Sequence, residues 1–121
     1  TGLARDYAQH AGKTLSAAEV AANAAHGEPN ARAALDRYLD RLARSLAMVI
    51  NVLDPDVVVL GGGVSHVEAL YTELPARLGA YVFSDCVTTP IVRAQHGDAG
   101  GVRGAAWLWP VDDALAARAL K

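Results

Sequence analysis

The amino-acid sequence predicts a helix-rich α/β domain with an incomplete β-sheet. Apolar residues recur every three or four positions from Leu35 to Leu53, which predicts one long helix with a single buried face. Two segments, residues 57–60 and residues 91–95, have the composition of strands. Because two strands rarely form a stable sheet alone, we expect the rest of the sheet to be missing or to come from another chain.

Composition and charge narrow the kind of protein. The chain has 121 residues, which is enough for one domain with a modest core. Its 11 Lys and Arg and 13 Asp and Glu are interspersed, so no basic surface for nucleic acid or an anionic membrane is indicated. The single cysteine, Cys86, cannot form an internal disulfide and fits a reducing, cytoplasmic location. No apolar run is long enough to span a bilayer, so we expect neither nucleic acid nor a membrane as a partner.

Helical signals fill the first part of the chain. Residues 3–11 have the pattern of a short helix. Ser16 and Glu19 have the spacing of a capping box, which predicts a helix over residues 17–25. Residues 27–30 should separate this helix from the long one.

The long helix should carry a charged face opposite its apolar face. Within that face, Asp40 and Arg44 have the spacing of a weakly stabilising pair, worth about 0.2–0.5 kcal/mol. We expect the charged face to be a solvated surface. Pro55 should end the helix, since the residue before a proline is steered away from helical geometry. The charged residues on this face are Asp36, Arg37, Asp40, Arg41 and Arg44.

A strand and a further helix should follow Pro55. The β-branched run at residues 57–60 has no polar alternation, which predicts a strand buried on both faces. Ser65 and Glu68 repeat the spacing of a capping box and predict that a helix begins near His66. Pro75 should bend or divide this helix, because proline removes an internal hydrogen bond.

The remaining chain should hold the second strand and two helices. Pro90 suits the first position of a strand over residues 91–95, where a missing N–H group is tolerated. A glycine-containing loop then leads into a helix predicted over residues 102–109. Residues 111–121 are expected to form one more short helix.

Three consecutive glycines, Gly61, Gly62 and Gly63, lie between the predicted strand and the predicted helix start. Bare backbone beside a helix N-terminus admits a flat or anionic ligand closely. The dinucleotide fingerprint G-x-G-x-x-G also requires an acidic residue about 20 positions further on, which Asp85 could supply. His66 stands where the third glycine belongs, which argues against a dinucleotide site. From spacing alone, a glycine turn without a ligand stays open as an alternative.

The sequence gives only weak signals for metal binding or catalysis. His96 and Asp98 could ligate a metal, but two ligands in one loop without a third are insufficient. No Ser/His/Asp grouping and no carboxylate pair has a persuasive catalytic spacing. We therefore predict no metal site and no catalytic residue within this chain.

Four blocks in order resemble the C-terminal part of a ROK-family sugar kinase, most closely its fructokinase (mannofructokinase-like) branch. The blocks are TGLARDY, RLARSLAMVINVLDP, LDPDVVVLGGGVS and HGDAGGVRGAAWLWP. The resemblance implies part of a ribonuclease-H-like lobe of the actin/hexokinase type. Residues 1–121 would then be the C-terminal portion of the large lobe, without a second domain.

The resemblance also implies the roles of several residues. Gly61, Gly62 and Gly63 match the family's adenosine motif, whose bare backbone lies against the adenine and ribose of ATP. Ser65 would cap the helix that follows. Gly2 matches a Ser-Gly-Thr-Gly segment near the nucleotide.

The catalytic machinery of the family is expected upstream of Thr1. It comprises the phosphate motif, the catalytic aspartate, the sugar-binding Glu and His, and a Cys-rich site for structural Zn²⁺. The parent protein would use ATP and Mg²⁺ to phosphorylate a fructose-type hexose in the cytoplasm. The chain by itself is expected to be inactive.

The resemblance leaves one rival function open, and the composition indicates self-association. The same family includes sugar-responsive transcriptional repressors, in which this lobe is a sensor and dimerisation module. The block HGDAGGVRGAAWLWP favours the kinases, whereas an upstream helix-turn-helix would favour the repressors. An exposed sheet edge and an apolar content of 52% predict self-association, so we expect a homo-oligomer.

Overall fold

The fold consists of six α-helices, one 3₁₀ turn and a two-stranded sheet within the part of the chain that the structure describes. The structure is a computed structural model that describes residues 2–84, 86–97 and 100–108. The helices are α1 (Gly2–Ala11), α2 (Ala17–Ala25), α3 (Pro29–Leu53), α4 (Ala69–Thr72), α5 (Leu74–Leu78) and α6 (Gly100–Ala106). The strands are β1 (Val58–Leu60) and β2 (Ile91–Arg93), and the 3₁₀ turn is Gly63–His66.

Helix α3 is the long helix that the apolar periodicity predicts, and it starts earlier than expected. Residues 27–30 were predicted to separate two helices, yet α3 already begins at Pro29. Proline suits a first helical position, where its missing N–H needs no partner. The carboxylate of Glu28 accepts hydrogen bonds from the backbone N–H groups of Asn30 (3.1 Å) and Ala31 (2.6 Å). These bonds satisfy two of the free donors at the helix start.

The core lies on the apolar face of α3, where α1, α2 and α5 pack against it. Leu3 of α1, Val20 of α2 and Leu74 of α5 are fully buried. They meet a row of leucine and alanine side chains whose small members let the helices approach closely. The buried residues of α3 are Ala31, Ala34, Leu35, Leu39, Ala43, Ala47 and Ile50.

The charged face of α3 is only partly the solvated surface that the sequence predicts. Arg41 and Arg44 are exposed, and Arg44 pairs with Asp40 as predicted (2.7 Å), but Arg37 and Arg41 also bind an acid of α1. Asp6 of α1 is 4% exposed and accepts hydrogen bonds from Arg37 Nη2 (2.7 Å) and Arg41 Nη1 (2.8 Å). Burial opposes ionisation of Asp6, but the two arginines outweigh it and hold the pKa of the carboxyl below its usual value. These ion pairs fix α1 on α3. Their members are 31 and 35 residues apart in sequence, so helical spacing alone could not indicate them.

A second cluster of charges joins α3 to α5. Arg32 donates to Glu73 just before α5 (Nη1 to Oε1, 2.9 Å) and to Asp36 on its own helix (Nε to Oδ2, 3.1 Å). Arg77 of α5 donates back to Asp36 (Nη2 to Oδ1, 2.5 Å). Hydrogen bonds from Arg32 lower the pKa values of Asp36 and Glu73, and those from Arg77 add to the effect.

The two strands are parallel, and their sheet is open in the described part of the chain. Val58 pairs with Ile91 and Leu60 with Arg93. Val59 is 56% exposed, so the prediction of a strand buried on both faces is wrong for the described residues. The strands are also shorter than residues 57–60 and 91–95, because β1 starts at Val58 and β2 ends at Arg93.

The helix ends show where local signals succeed. Ser16 and Glu19 form the predicted capping box: the Ser16 N–H donates to Glu19 Oε2 (2.8 Å), and the Glu19 N–H donates to Ser16 Oγ (3.2 Å). Pro75 divides the downstream helix as predicted, since it lies in the first turn of α5, just after α4 ends. Helix α6 begins and ends before the predicted bounds, and the predicted helix over residues 111–121 lies outside the described residues.

None of the helices in the described residues is both long enough and apolar enough to cross a bilayer. Cys86 is exposed and forms no disulfide within the described part of the chain.

Replacing Asp6 with Asn should lower the free energy of unfolding by about 1–3 kcal/mol, because the buried negative charge is lost and one of its two acceptor oxygens becomes an NH₂ donor facing an arginine. Urea unfolding at neutral pH measures the change. Asp56→Asn makes the same chemical change at an exposed position and should stay within about 0.5 kcal/mol of the unmodified protein. Equal losses in the two variants would contradict the role assigned to Asp6.

Stability should also fall at acidic pH. The folded-state pKa values of Asp6, Asp36 and Glu73 are lowered, so their ion pairs contribute fully above the ordinary values, 3.8 for aspartate and 4.5 for glutamate. As pH falls below these values, the unfolded chain binds protons first and the contribution is lost. Between about pH 5 and pH 3, Asp36→Asn should lose less stability than the unmodified protein does in urea titrations. Parallel pH profiles would contradict this.

Candidate functional site

The three glycines lie where β1 ends and the 3₁₀ turn begins. Gly62 has φ 76° and ψ 178°, a conformation that side-chain-bearing residues rarely adopt. Gly63 is the first residue of the turn Gly63–His66. A glycine connection directly after a strand is therefore present as the sequence predicts, although a 3₁₀ turn follows it in place of an α-helix.

Gly62 and Gly63 present bare backbone to open space. A Cβ built on either residue would meet no heavy atom of the described chain within 4 Å. A Cβ on Gly61 would instead lie 3.9 Å from the Cβ of Ala94, on the side of β2. A flat ligand can thus approach the backbone at Gly62 and Gly63, whereas Gly61 faces the neighbouring strand.

A cavity of about 290 Å³ lies beside Gly63. One wall is the turn itself, and the other is formed by alanines of α2, whose short side chains leave room for a ligand. No lysine or arginine is among the described residues that line it, and Glu68 adds a carboxylate that would repel a phosphate. The chemistry suits an uncharged, partly apolar group better than an anion. The lining residues are Ala18, Ala21, Ala22, Gly63, His66, Val67 and Glu68.

Ser65 does not cap a helix, which corrects the prediction that one begins near His66. Ser65 is 1% exposed and lies inside the 3₁₀ turn, and its Oγ donates to the Gly62 carbonyl (2.6 Å). The following helix, α4, begins at Ala69. The capping-box spacing fails here because the hydroxyl bonds backwards to the glycine turn. Its side chain therefore shapes the turn.

Gly2 lies apart from the glycine turn. It begins α1, where a Cβ would lie 3.9 Å from Tyr38 Cε2. It lines a cavity of about 260 Å³ together with Tyr38, Arg41, Leu42 and Ser45, and this cavity shares no residue with the one beside Gly63. The structure thus places Gly2 and Gly63 in separate cavities.

Sequence reasoning missed two side chains that hold the glycine turn. Arg93 of β2 donates from Nε to the Ser65 carbonyl (3.0 Å), and the Tyr71 hydroxyl donates to the same oxygen (2.7 Å). The parallel register pairs Arg93 with Leu60, immediately before the glycines. An arginine at the end of the second strand is the signal that could have indicated this contact, once the strands were known to pair.

Metal ligation finds no support in the residues that the structure describes. They contain no group of three or more His, Cys, Asp or Glu arranged to hold a metal ion. His96 Nδ1 lies 3.4 Å from Arg103 Nη1. Asp98, its suggested partner in the loop, and Asp85, the acid considered for a dinucleotide site, lie outside the described residues.

A parallel strand, a glycine turn and a helical wall around a cavity without lysine or arginine in its described lining define an α/β protein with a candidate nucleotide-binding wall. Comparison with known proteins identifies its family. The ROK family matches residues 1–112, and the chain therefore belongs to the ROK family. The resemblance found in the four sequence blocks is thus confirmed.

Three curated relatives carry the name of a kinase that acts on one amino sugar. N-acetyl-D-glucosamine kinase of Photobacterium profundum is 48% identical over 107 residues, covering 88% of this chain and 35% of the relative. The enzyme of that name from Shigella flexneri serotype 5b is 43% identical over 111 residues, covering 92% and 37%. That of Yersinia pseudotuberculosis serotype O:1b is 46% identical over 95 residues, covering 78% and 31%.

These comparisons support a sugar kinase but not the fructokinase branch that the sequence suggested. The relatives named above carry the name of an N-acetylglucosamine kinase rather than a fructokinase. The chain spans about a third of the length of the curated relatives it matches.

Proposed function

We propose that this chain is the C-terminal part of the large lobe of an ATP-dependent sugar kinase and supplies the wall against which adenosine binds. The observation that carries the proposal is the bare backbone of Gly62 and Gly63, next to a cavity that Gly63 lines and that has no lysine or arginine among its described lining residues. An adenine ring and ribose are flat or uncharged and suit such a wall, whereas a triphosphate requires cations. The ribonuclease-H-like architecture of the lobe is part of the same proposal.

The site residues have distinct parts in this proposal. Gly62 and Gly63 let the backbone approach the nucleotide, Gly61 joins β1 to this backbone with its own Cα facing Ala94, and Ser65 keeps the turn in shape. Gly2 is assigned to the nucleotide by its match to the family segment, and it would contact ATP from its own cavity beside Tyr38. Gly62 and Gly63 would thus act through their main chain, which a side chain at either position would block.

The phosphoryl-transfer chemistry is assigned to residues upstream of this chain. ATP supplies the γ-phosphoryl group, and Mg²⁺ neutralises charge on the phosphates as the group passes to a sugar hydroxyl. The ligands of Mg²⁺ and of the expected structural Zn²⁺ are assigned to the same upstream residues. The contribution of this chain is to orient the nucleotide, which lowers the barrier by positioning.

N-acetylglucosamine is the sugar we propose for the parent protein, because the curated relatives are named for it. Fructose, suggested by the sequence blocks, is the second candidate. The residues that would distinguish the two sugars lie upstream in this proposal. The repressor alternative is not favoured, since the relatives reported above are kinases.

Self-association stays a prediction, and the exposed apolar side chains favour it. Met48, Val52 and Leu53, at the C-terminal end of α3, are 71%, 81% and 70% exposed. Contiguous apolar surface of this kind marks an interaction site. We propose that the parent protein is a cytoplasmic homo-oligomer.

The full-length parent protein should release ADP from ATP and Mg²⁺ in a sugar-dependent manner, with the highest kcat/KM for N-acetylglucosamine. A coupled assay with N-acetylglucosamine, glucose, mannose and fructose measures this ranking. No sugar-dependent ADP release with any of the four would refute the kinase. A higher kcat/KM for fructose would refute the amino-sugar assignment and retain the kinase.

Adding a methyl group at Gly63 should weaken ATP binding about tenfold, since overpacking a close contact costs about 1–3 kcal/mol. Titration calorimetry compares Gly63→Ala with Gly61→Ala, whose Cβ would make an ordinary contact with Ala94. Gly62→Val would also block the nucleotide, but it would strain the backbone as well, because Gly62 has φ 76°. Lost ATP binding in that variant is therefore less informative. Equal ATP affinity in the two alanine variants would contradict the proposed wall.

A further inference from the structure

An arginine on β2 reaches across the sheet to the glycine turn that follows β1. We propose that Arg93 is a positioning residue of the nucleotide site, which holds the turn in the shape that exposes the backbone of Gly62 and Gly63. This inference rests on the proposed function. It goes beyond that function because Arg93 would act through the turn rather than by touching the nucleotide.

Three groups fix the guanidinium of Arg93. Its Nε donates to the Ser65 carbonyl (3.0 Å), and its Nη2 donates to Glu68 Oε2 (3.1 Å). Its Cζ lies 4.9 Å from the centroid of the Tyr71 ring, within the range of a cation–π contact. A planar guanidinium held at two edges and one face has little freedom to move.

The hydrogen bonds continue from Arg93 to the glycines through Ser65. The Ser65 carbonyl accepts from both Arg93 and the Tyr71 hydroxyl (2.7 Å), and the Ser65 hydroxyl donates to the Gly62 carbonyl (2.6 Å). Because Ser65 is 1% exposed, water competes little for these bonds. Arg93 thereby holds Ser65 in place, and Ser65 in turn holds the carbonyl of Gly62.

The turn needs such an anchor because its own sequence does not fix its conformation. Three consecutive glycines lose more conformational freedom on folding than any other residues would. The 3₁₀ turn Gly63–His66 is four residues long, and the residue before it, Gly62, has no side chain that could cap it. Side chains from β2 and α4 therefore supply the constraint that the local sequence lacks.

The pairing of the strands brings Arg93 within reach of the turn. Leu60 pairs with Arg93, and the Ala94 N–H donates to the Leu60 carbonyl (2.9 Å), so the two chains stay in register up to the glycines. A one-residue slip would turn Arg93 to the other face of the sheet.

The test compares Arg93→Met with Arg44→Met in the full-length parent protein. Arg44 is a matched control, because it also lies over a tyrosine ring (5.4 Å to Tyr81) and pairs with a carboxylate (2.7 Å to Asp40), away from the turn. Hydrogen exchange of the amides of residues 61–67 reports the turn. Steady-state kinetics report KM for ATP and KM for the sugar separately.

Arg93→Met should speed exchange at residues 61–67 and raise KM for ATP about tenfold, since a charged hydrogen bond to the turn is lost. KM for the sugar should stay unchanged in both variants, and Arg44→Met should leave exchange at the turn and KM for ATP unchanged. Tyr71→Phe removes one donor to the Ser65 carbonyl while keeping the ring. It should give the same pattern at about threefold, which tests the inference if Arg93→Met does not fold.

Unchanged exchange in Arg93→Met, or faster exchange with an unchanged KM for ATP, would overturn the inference. Equal effects of Arg93→Met and Arg44→Met would overturn it as well. An unmodified parent protein without ATP-dependent sugar phosphorylation would overturn the proposed function and, with it, the nucleotide role of Arg93. The exchange rates would then still decide whether Arg93 holds the turn.

Discussion

Burial of one face of α3 is the contact on which the other described elements depend. Leu39 and Ala43 lie in the middle of that face and are fully buried against neighbouring helices. Apolar burial favours close packing but is not directional, so it does not by itself fix how each helix is rotated. The charged pairs on the adjoining face supply that direction, since Asp6 accepts from two arginines and Arg32 reaches Glu73. The two kinds of contact together place α1 and α5 on α3.

The packing of α2 on α3 determines the shape of the candidate site. Helix α2 packs on α3 through Val20 and Ala24, while alanines of its other side line the cavity beside Gly63. A larger residue in place of any of these alanines would narrow the cavity, because a tightly packed helix cannot retreat. The space beside the glycine backbone is thus set from one side by a helix and from the other by a turn. Neither wall contributes a lysine or arginine in the described lining, and Glu68 contributes a carboxylate, which agrees with adenosine rather than phosphate as the proposed occupant.

Comparison of the two capping-box patterns shows how much the sequence could predict. The pattern at Ser16 and Glu19 forms the expected reciprocal bonds, because both partners lie at the same helix start. The pattern at Ser65 fails, since its hydroxyl finds the Gly62 carbonyl. Strand and glycine turn are adjacent in sequence and could be predicted, whereas Arg93 lies 28 residues beyond Ser65 and meets it only after the strands pair. The identity of the sugar could not be predicted from this sequence for a different reason, because no residue of this chain is assigned to sugar binding.

The valines at and just before β1 are exposed, which bears on what covers the sheet. Val57 and Val59 are 44% and 56% exposed, although a β-branched run without polar alternation is typical of a parallel strand covered on both faces. Leaving such side chains in water forgoes the stabilisation that their burial would give, about 25 cal/mol for each Å² of apolar surface. This mismatch between pattern and exposure supports the proposal that further strands of a larger lobe cover the sheet. The proposed adenosine wall lies within this chain, and the groups that hold the phosphates and the sugar would then reach it from the rest of the larger protein.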